Sequence, residues 1–506
     1  MLVLLVVASA FPLFWPDIAP LVDLPGHMGR YRVQLDLEHS PALQQFFHFE
    51  WRLIGNLGID LLVELLAPIM GLEPAVRLIV LLIPALTAAG LIWVAFEVHG
   101  RIPPTVLFAL PFAYNFPFLF GFANFALAMA LALNAFALWL RLGRTGQVRL
   151  RAVVFVPISF ILWIVHAFGW GTLGVLAFSA ELVRQHDRGR GYVMAAIHAA
   201  KHCLPMTGPI LLIVNWRSNA GGQTGDWFNW PGKMMWLYMV LRDRWFLFDL
   251  AALAIAGGVL AAAWATRQMR YSRNLAASAL FLLLVFVLLP RVVFGSAYAD
   301  MRLAPYIFAI ALIAIRFPNA SHRLVMAFGI AGFAFFGIRT TATTVSMVMY
   351  DRAYDANLAA LDHIPRGARV VSFVGRPCAE PWAMSRLLHL PAMAIVRREA
   401  FSNDQWVMPG AQLLTVRYDP GRGFTRDASQ IVTGVRCRYE PWRTIDQALE
   451  RFPRDAFDFV WLIDPPPHDP ALLRGLLPIW RNGASVLYRV VDRSPVGPPP
   501  SPFQSY

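Results

Sequence analysis

Long apolar runs recur along most of this chain and constrain its fold more than any other feature. They fall near residues 1–16, 75–98, 103–118, 120–140, 152–166, 168–184, 196–214, 246–266, 275–290, 302–316 and 324–340. A membrane-spanning helix needs roughly 20 mostly apolar residues, so we expect about eleven spans, some of them short. The 506 residues are 57% hydrophobic and 15% charged, too little charge for an ordinary soluble domain. The chain is predicted to be an α-helical polytopic membrane protein.

The first run, "MLVLLVVASAFPLFWP", is shorter than a full span and has no basic flank. A cleaved signal peptide is one interpretation, because "ASA" looks like a cleavage site. We favour an uncleaved first helix, because many spans follow it.

The net charge of +13 is carried by short clusters between apolar runs, not by one basic face or tail, which argues against nucleic acid as the partner. The positive-inside rule explains the clusters if four loops are cytoplasmic. The alternation of sides requires residues 151–184 to form two short spans that meet near 165–171. The four loops contain Arg141, Arg144, Arg149 and Arg151; Arg184, Arg188 and Arg190; Arg267, Arg270 and Arg273; and Arg316 and Arg323.

The same topology places the unusual segments on the extracytoplasmic side. The loop 17–58 is long enough for one or two helices lying on the membrane, and 231–245 has the aromatic and basic residues of an interfacial segment. The transmembrane part is predicted to cover residues 1–344. The other segments on this side are 114–125, 217–244, 291–302 and the chain after about 341.

The C-terminal region, residues 345–493, is predicted to be a soluble extracytoplasmic α/β domain, followed by a disordered proline-rich tail over 494–506. Its patterns predict strands at 368–375, 457–464 and 484–491 and helices at 381–390 and 470–480. Cys378 and Cys437 share this region and can pair if it lies in an oxidising compartment.

The segment "PLVDLPGHMGRYRV" holds the first candidate site residues. Asp23 and His27 are spaced i, i+4, so they share one face if the segment is helical, with Arg30 close to it. The plain alternative is a solvated, amphipathic interfacial helix.

Three further groups of residues lie at the same predicted face. His166 lies within an apolar run, where an ionisable side chain is a functional candidate or a satisfied core histidine. Asp300 and Arg302 begin a span there and can also be a local ion pair. Asn124, like Asn115, flanks a phenylalanine-rich corner, where helix capping or turn formation is the alternative.

Positive side chains are more numerous on this face than the positive-inside rule predicts. Arginine binds phosphate bidentately, so a phosphorylated lipid substrate would explain them, and anchoring to lipid headgroups is the alternative. The residues concerned are Arg30, Arg32, Lys233, Arg242, Arg244, Arg291 and Arg302.

This pattern resembles the type C (GT-C) superfamily of integral-membrane glycosyltransferases. The shared features are about eleven helices, an acidic residue in the first extracytoplasmic loop, interfacial helices in that loop and a soluble C-terminal α/β domain. The segments "DLPGHMGRYRV", "FLFGFANFALAMALAL", "WIVHAFGWG" and "ADMRLAPYIFAI" are similar to those of a poorly characterised bacterial branch.

The resemblance implies an inverting transfer of a sugar from a polyprenyl-phosphate donor to a glycan, lipid or protein acceptor outside the bacterial inner membrane. Asp23 would be the general base, and Arg30 and Arg302, with Arg291 behind them, would bind the donor phosphate. His166, Asn124, Asp300 and Lys233 would line the substrate pocket.

His27 has three roles open to it, in order of preference: orienting Asp23, binding phosphate, or binding a divalent cation such as Mg²⁺ or Mn²⁺ together with Asp23. In better-known branches the first-loop acid is often followed by glutamate, whereas Leu24 follows Asp23 here, so no cofactor is assigned with certainty.

Two other classes of function compete with a transferase. A non-catalytic scaffold of an envelope glycan pathway would bind the same lipid without turnover. A transporter or polymerase of lipid-linked glycans is the other alternative, although a secondary transporter should have two related halves with polar groups near mid-membrane.

Overall fold

The structure, a computed structural model, describes residues 1–220, 223–408 and 412–495, without the side chains of 215–220. The tail predicted over 494–506 lies outside the described residues from 496 onward.

Helices make up most of the described chain. They are α1 (Leu2–Ala10), α2 (Leu24–Asp36), α3 (Pro41–Gln44), α4 (Gly58–Met70), α5 (Leu72–His99), α6 (Val106–Ala109), α7 (Phe116–Phe120), α8 (Ala123–Arg144), α9 (Val148–Val165), α10 (Ala167–Asp187), α11 (Tyr192–Cys203), α12 (Pro209–Ala220), α13 (Trp230–Tyr238), α14 (Phe246–Ala265), α15 (Arg273–Leu288), α16 (Ala304–Ile313), α17 (His322–Leu358), α18 (Met393–Arg398) and α19 (Ile445–Arg451).

The strands form three sheets. They are β1 (Phe47–Phe49), β2 (Arg270–Tyr271), β3 (Ile315–Arg316), β4 (Val370–Gly375), β5 (Leu414–Val416), β6 (Ile431–Thr433), β7 (Arg443–Thr444), β8 (Phe459–Ile463), β9 (Leu476–Asn482) and β10 (Ser485–Val490). One six-stranded sheet has the order β7-β6-β4-β8-β10-β9, and the pairs β1–β5 and β2–β3 form two-stranded sheets.

Five helices of the described chain are long and apolar enough to cross a membrane: α5, α8, α9, α14 and the helix that begins at His322. Shorter apolar helical segments lie at Leu2–Leu13, Val106–Phe120, Arg273–Leu288 and Ala304–Ile313. The chain is therefore mostly helical with several candidate spans, and the count of about eleven spans stays a prediction.

The break expected near 165–171 is present. Helix α9 ends at Val165, His166 is extended, and α10 begins at Ala167. The Nδ1 atom of His166 accepts a hydrogen bond from the backbone N–H of Phe168 at 3.2 Å, which caps the new helix. Two helices with a capped break thus replace one long helix.

Two predicted helices of the C-terminal region are wrong. Residues 381–390 form turns, because the hydroxyls of Tyr350 and Tyr354 donate to backbone carbonyls of this segment, those of Met384 and Arg386. Residues 470–480 form a short 3-10 turn and then β9, because Gly475, at φ +78°, ends the turn before the strand pairs with β10.

The described chain divides into two compact units. Unit 1 comprises Met1–Trp15, Leu53–Leu62 and Arg77–Met347, and unit 2 comprises Pro16–Arg52, Val63–Val76 and Val348–Tyr506. Unit 1 contains most of the apolar helices, and unit 2 contains α2 and the six-stranded sheet.

The core of unit 2 explains why its sheet forms. Strand β4 pairs in parallel with β6 and β8, and both β4 and β8 are nearly continuous apolar runs, as expected for strands covered on both faces. Val33 of α2 belongs to the same buried cluster as Phe373 and Leu462 of the sheet. Cys378 and Cys437 form the predicted disulfide, with their Cα atoms 5.4 Å apart.

Candidate active site

Asp23 lies at the start of α2, within unit 2. It is the N-cap residue of this helix, and the backbone N–H of His27 donates to its carbonyl oxygen at 3.1 Å. The predicted helical spacing of these two residues is confirmed. Asp23 is only 8% exposed and Arg30 only 2%, so α2 does not present them on a solvated, amphipathic face.

Two side chains fix the backbone that leads into Asp23. The guanidinium Nη1 of Arg386 donates to the carbonyl oxygen of Pro20 at 2.7 Å. The hydroxyl of Tyr354 donates to the carbonyl oxygens of Leu21, at 3.3 Å, and of Arg386, at 2.8 Å. All four residues belong to unit 2, so Asp23 is held on a braced segment.

A histidine lies between Asp23 and a second carboxylate. Nε2 of His389 is 3.9 Å from Oδ1 of Asp23, and Nδ1 of the same ring is 3.9 Å from Oδ2 of Asp404. His389 is 3% exposed and Asp404 is fully buried. Asp23, His389 and Asp404 are called the Asp23 cluster below.

Burial controls the protonation of this cluster. It lowers the pKa of His389, so the ring is neutral near pH 7. It raises the pKa of Asp404 to about 7, against the opposing effect of the Ser402 hydroxyl, which bonds to Asp404. Asp404 is therefore partly protonated near neutrality. A neutral imidazole has one donor and one acceptor nitrogen, so His389 can connect the two carboxyl groups.

Trp406 covers the cluster from one side. Its ring centroid is 4.3 Å from that of His389 and 5.0 Å from that of His27. A Cβ atom on Gly26 would lie 2.6 Å from the Trp406 ring, and one on Gly29 would lie 2.8 Å from Gln405 Nε2. Two glycines in α2 therefore allow the helix to approach this segment closely.

His27 is also held neutral. Burial, and then the positive charge of Arg30, lower the pKa of its imidazole well below the usual value. A neutral imidazole keeps one N–H donor, and the three roles predicted for His27 stay predictions.

In unit 1 the structure brings Arg302 and His166 together around aromatic rings. The guanidinium carbon of Arg302 is 4.6 Å from the centroid of Phe122, 5.2 Å from Phe168 and 5.9 Å from Phe125. His166 packs against two of the same rings, with centroid distances of 5.8 Å to Phe125 and 5.7 Å to Phe168. These rings hold the guanidinium in a fixed orientation.

Lys233 and Asp300 form a fully buried ion pair in unit 1, with Nζ and Oδ2 3.2 Å apart. The ammonium also donates to the carbonyl oxygens of Phe286 and Leu289, at 2.7 and 2.8 Å, so its three donors are used within the protein. This arrangement supports a structural role for the pair, and their place in a substrate pocket stays a prediction.

The two asparagines and Arg291 have hydrogen-bond or ion-pair partners within unit 1. Asn115 caps α7 through Phe118 N–H, as the capping alternative expected. Asn124 accepts from Ile59 N–H at 2.5 Å and donates to Asp60 Oδ2 at 3.1 Å. Arg291 Nη1 is 3.3 Å from Asp226 Oδ2.

The described residues include no group of three or more histidine, cysteine or acidic side chains that could hold a metal ion. The binding of a divalent cation by Asp23 and His27 therefore stays a prediction.

Sequence reasoning missed His389 and Asp404. His389 falls in "RLLHL", where its apolar neighbours suggest a core residue, and Asp404 falls in the polar stretch "SNDQW". No local spacing connects either of them to Asp23. The only signal available was a histidine in an apolar context, which is weak on its own.

No protein-family model matches this chain, and no curated protein matches it. Among solved structures, the chain is similar to the cryo-EM structure of arabinofuranosyltransferase AftD from mycobacteria, with 15% sequence identity and a TM-score of 0.45. The similarity covers 97% of this chain but only 40% of that one.

Proposed function

We propose that this chain is a membrane glycosyltransferase that moves a sugar from a polyprenyl-phosphate donor to an extracytoplasmic acceptor with inversion, using Asp23 as general base. The observation that carries this proposal is the 3.9 Å approach of His389 Nε2 to the buried Asp23 carboxylate. A shielded carboxylate with an adjacent neutral histidine is suited to accept a proton from a substrate hydroxyl.

In the proposed reaction the acceptor hydroxyl gives its proton to a carboxylate oxygen of Asp23. The hydroxyl oxygen forms a bond to the anomeric carbon while the bond from that carbon to the donor phosphate breaks. Polyprenyl phosphate leaves with the electron pair, and attack from the opposite face inverts the configuration. A positioned base typically accelerates such a step ~10²–10⁴-fold.

His389 is proposed to position Asp23. With its proton on Nε2, the neutral ring donates toward Asp23, while Nδ1 accepts from the protonated carboxyl of Asp404, whose pKa is about 7. The 3.9 Å separations are longer than hydrogen bonds, and such contacts commonly shorten when substrate binds. Asp23 then stays ionised and correctly oriented before the proton transfer.

Arg30 is the proposed cation of this site. It is buried in α2, and its charge reaches His27 one turn earlier. A guanidinium placed where negative charge grows on the leaving phosphate would stabilise the transition state. Assignment of Arg302 and Arg291 to the donor phosphate remains a separate hypothesis.

The disulfide supports an extracytoplasmic location for the region that carries it. The bond between Cys378 and Cys437 joins two segments of unit 2. Disulfides persist in oxidising compartments and are rare in the reducing cytosol. The bacterial inner membrane, with the active face directed outward, is the proposed location.

The direct test is incubation of the purified protein with radiolabelled polyprenyl-phosphate sugars and membrane extracts that supply acceptors. Transfer of the label to a slower-migrating product by the wild type, and not by Asp23→Asn, is the expected result. Donor binding without transfer by the wild type would favour the scaffold alternative. Equal transfer by both proteins would reject Asp23 as the base.

A further inference from the structure

A cavity of about 480 Å³ lies within unit 1, and none of the residues assigned above to the reaction lines it. Its lining comes from the ends of α5 and α8, the start of α9, the C-terminal half of α10, the start of α15 and β3. The four basic clusters that the sequence places on the cytoplasmic side thus converge on one cavity. It contains six arginines: Arg144, Arg151, Arg184, Arg188, Arg273 and Arg316.

Arg151 forms the buried part of this lining. It is 2% exposed, its Nη1 donates to Glu181 Oε2 at 3.1 Å, and its guanidinium carbon lies 3.9 Å from the centroid of Trp139. Its Nη2 is buried and has no hydrogen-bond partner within the described residues. A buried N–H group without a partner is costly, which makes this guanidinium a donor that a ligand or water would satisfy.

A glycine makes room for two of the guanidinium groups. A Cβ atom on Gly143 would lie 2.9 Å from Arg151 Nη1 and 3.1 Å from Arg184 Nη1. Arg184 Nη2 also donates to the carbonyl oxygen of Gly143 at 2.8 Å. The guanidinium groups of Arg151 and Arg184 are therefore held in place by the end of α8.

The charges in the lining do not balance. Only three carboxylates face the six arginines, and each is already paired: Glu181 with Arg151 and Arg184, Glu97 with Arg144, and Asp187 with Arg273. Within the described chain, Arg188 and Arg316 form no ion pair, and both are exposed at the rim. An anion entering the cavity would meet unmatched positive charge.

We propose that this cavity binds a phosphate-bearing ligand. Arginine forks match the geometry of phosphate oxygens, and converging arginines can contact several oxygens at once. Basic pockets between membrane helices on the cytoplasmic side are suited to phospholipid headgroups, and a soluble phosphate ester presents the same chemistry. The positive-inside rule accounts for arginines in these loops but not for the burial of Arg151 or the unmatched charge around one cavity.

The test compares rim variants, because replacing Arg151 would leave Glu181 buried with one partner fewer and endanger folding. Binding of inorganic pyrophosphate to the full-length protein in detergent is measured by calorimetry for the wild type and the double variant Arg188→Gln/Arg316→Gln. The double variant should bind about tenfold more weakly or worse, because charge-assisted hydrogen bonds are lost. The matched control is Arg149→Gln/Arg270→Gln, two exposed arginines of the same loops that do not line the cavity.

A second experiment distinguishes a lipid headgroup from a soluble phosphate ester as the ligand. The protein is placed in nanodiscs of phosphatidylcholine with or without phosphatidic acid, and pyrophosphate binding is measured again. Loss of pyrophosphate binding in the phosphatidic acid discs, together with co-purification of phosphatidic acid that depends on Arg188 and Arg316, would identify a lipid headgroup. Unchanged pyrophosphate binding in both discs would identify a soluble ligand. Absence of both pyrophosphate and phosphatidic acid binding, or equal weakening in the control variant, would overturn the proposal.

Discussion

His389 Nε2 lies 3.9 Å from Asp23 Oδ1, although most of the chain separates the two residues in sequence. Both belong to unit 2, Asp23 in its segment Pro16–Arg52 and His389 in its C-terminal segment. The proposed base and the residue that positions it therefore come from two distant parts of the chain. A substitution at either should affect the same chemical step if the proposal is right.

Asp23→Asn should abolish transfer or reduce it ~10²–10⁴-fold, because the amide keeps the shape but does not accept the proton. Initial rates on monodisperse protein provide the measurement, with the melting temperature as the check on folding. Glu38→Gln changes an exposed carboxylate of the same loop and should leave the rate unchanged. Near wild-type transfer by Asp23→Asn would contradict its assignment.

His389→Ala should lower kcat about 10²-fold, because a misoriented base costs rate even when it is present. His389→Gln keeps an N–H group that can donate toward Asp23, so it should recover part of this loss. The comparison of kcat with KM separates positioning from binding, and KM for the donor should change little. His363→Gln, at an exposed histidine, is the control. Equal rates for Ala and Gln at position 389 would indicate a purely structural residue.

The local features of this site were accessible from sequence, and the long-range ones were not. The length of the first loop allowed one or two helices, with Asp23 and His27 on one face if the segment is helical, and Cys378 and Cys437 were expected to pair in an oxidising compartment. Each of these expectations needs only local pattern or residue identity. Tertiary packing brings His389 and Asp404 to the site, and the spacing of residues along the sequence does not predict such contacts. The helix expected at 381–390 failed for the same reason, since tyrosine hydroxyls from α17 bond to its backbone.

The partner of the buried Asp300 carboxylate in unit 1 also comes from a distant part of the sequence. Asp300 was expected either in a pocket or paired with Arg302, and it pairs with Lys233 from a different segment. This ion pair depends on tertiary packing, so the order of residues in the sequence does not predict it. By contrast, the break at His166 was predictable because the alternation of basic loops requires two spans there.

The raised pKa of Asp404 should make the stability of the protein depend on pH. Its pKa of about 7 in the folded protein is above the ordinary value, so the folded state holds this proton more tightly than the unfolded state. The stabilisation of the folded state by this proton is fully present below the pKa that Asp404 has in the unfolded chain, and it is lost as the pH rises through about 7. Asp404→Asn does not titrate, so the melting temperature of the wild type relative to this variant should increase as the pH falls from about 8 to about 5.

This difference measurement isolates Asp404. His27, whose pKa is lowered, destabilises the fold as the pH falls below the usual histidine range, and it does so in both proteins. Because His389 lies 3.9 Å from Asp404, the comparison is repeated with His389→Gln in both proteins. A wild-type-to-variant difference that is constant over the whole pH range would show that Asp404 has an ordinary pKa.

Gly26→Ala should destabilise the protein by about 1–3 kcal/mol, because the added methyl would lie 2.6 Å from the Trp406 ring and force a shift. Thermal unfolding in detergent measures the effect, and the rate of transfer should fall with the displaced ring. Gly337→Ala, in a helix with no atom within 4 Å of the new methyl, should be neutral or stabilising. Equal behaviour of the two variants would mean that Trp406 moves away without cost.

Substitutions of Arg302 test whether unit 1 contributes to donor binding. Its guanidinium lies between phenylalanine rings, 4.6 Å from the centroid of Phe122, which orients its donors. Arg302→Ala should weaken donor binding about tenfold or more, because charge-assisted hydrogen bonds to phosphate are lost. Arg302→Lys should recover only part of this affinity, since lysine keeps the charge but lacks the planar fork and its stacking on aromatic rings.

Donor binding and transfer are measured separately for these variants, with Arg323→Ala as the control at an exposed arginine of a predicted cytoplasmic loop. A role in gripping the phosphate predicts weaker binding together with slower transfer. A role only in packing predicts a lower melting temperature with the affinity of the remaining folded protein unchanged. Wild-type affinity in folded Arg302→Ala would therefore remove Arg302 from the phosphate site and leave Arg30 and Arg291 as the proposed phosphate-binding residues.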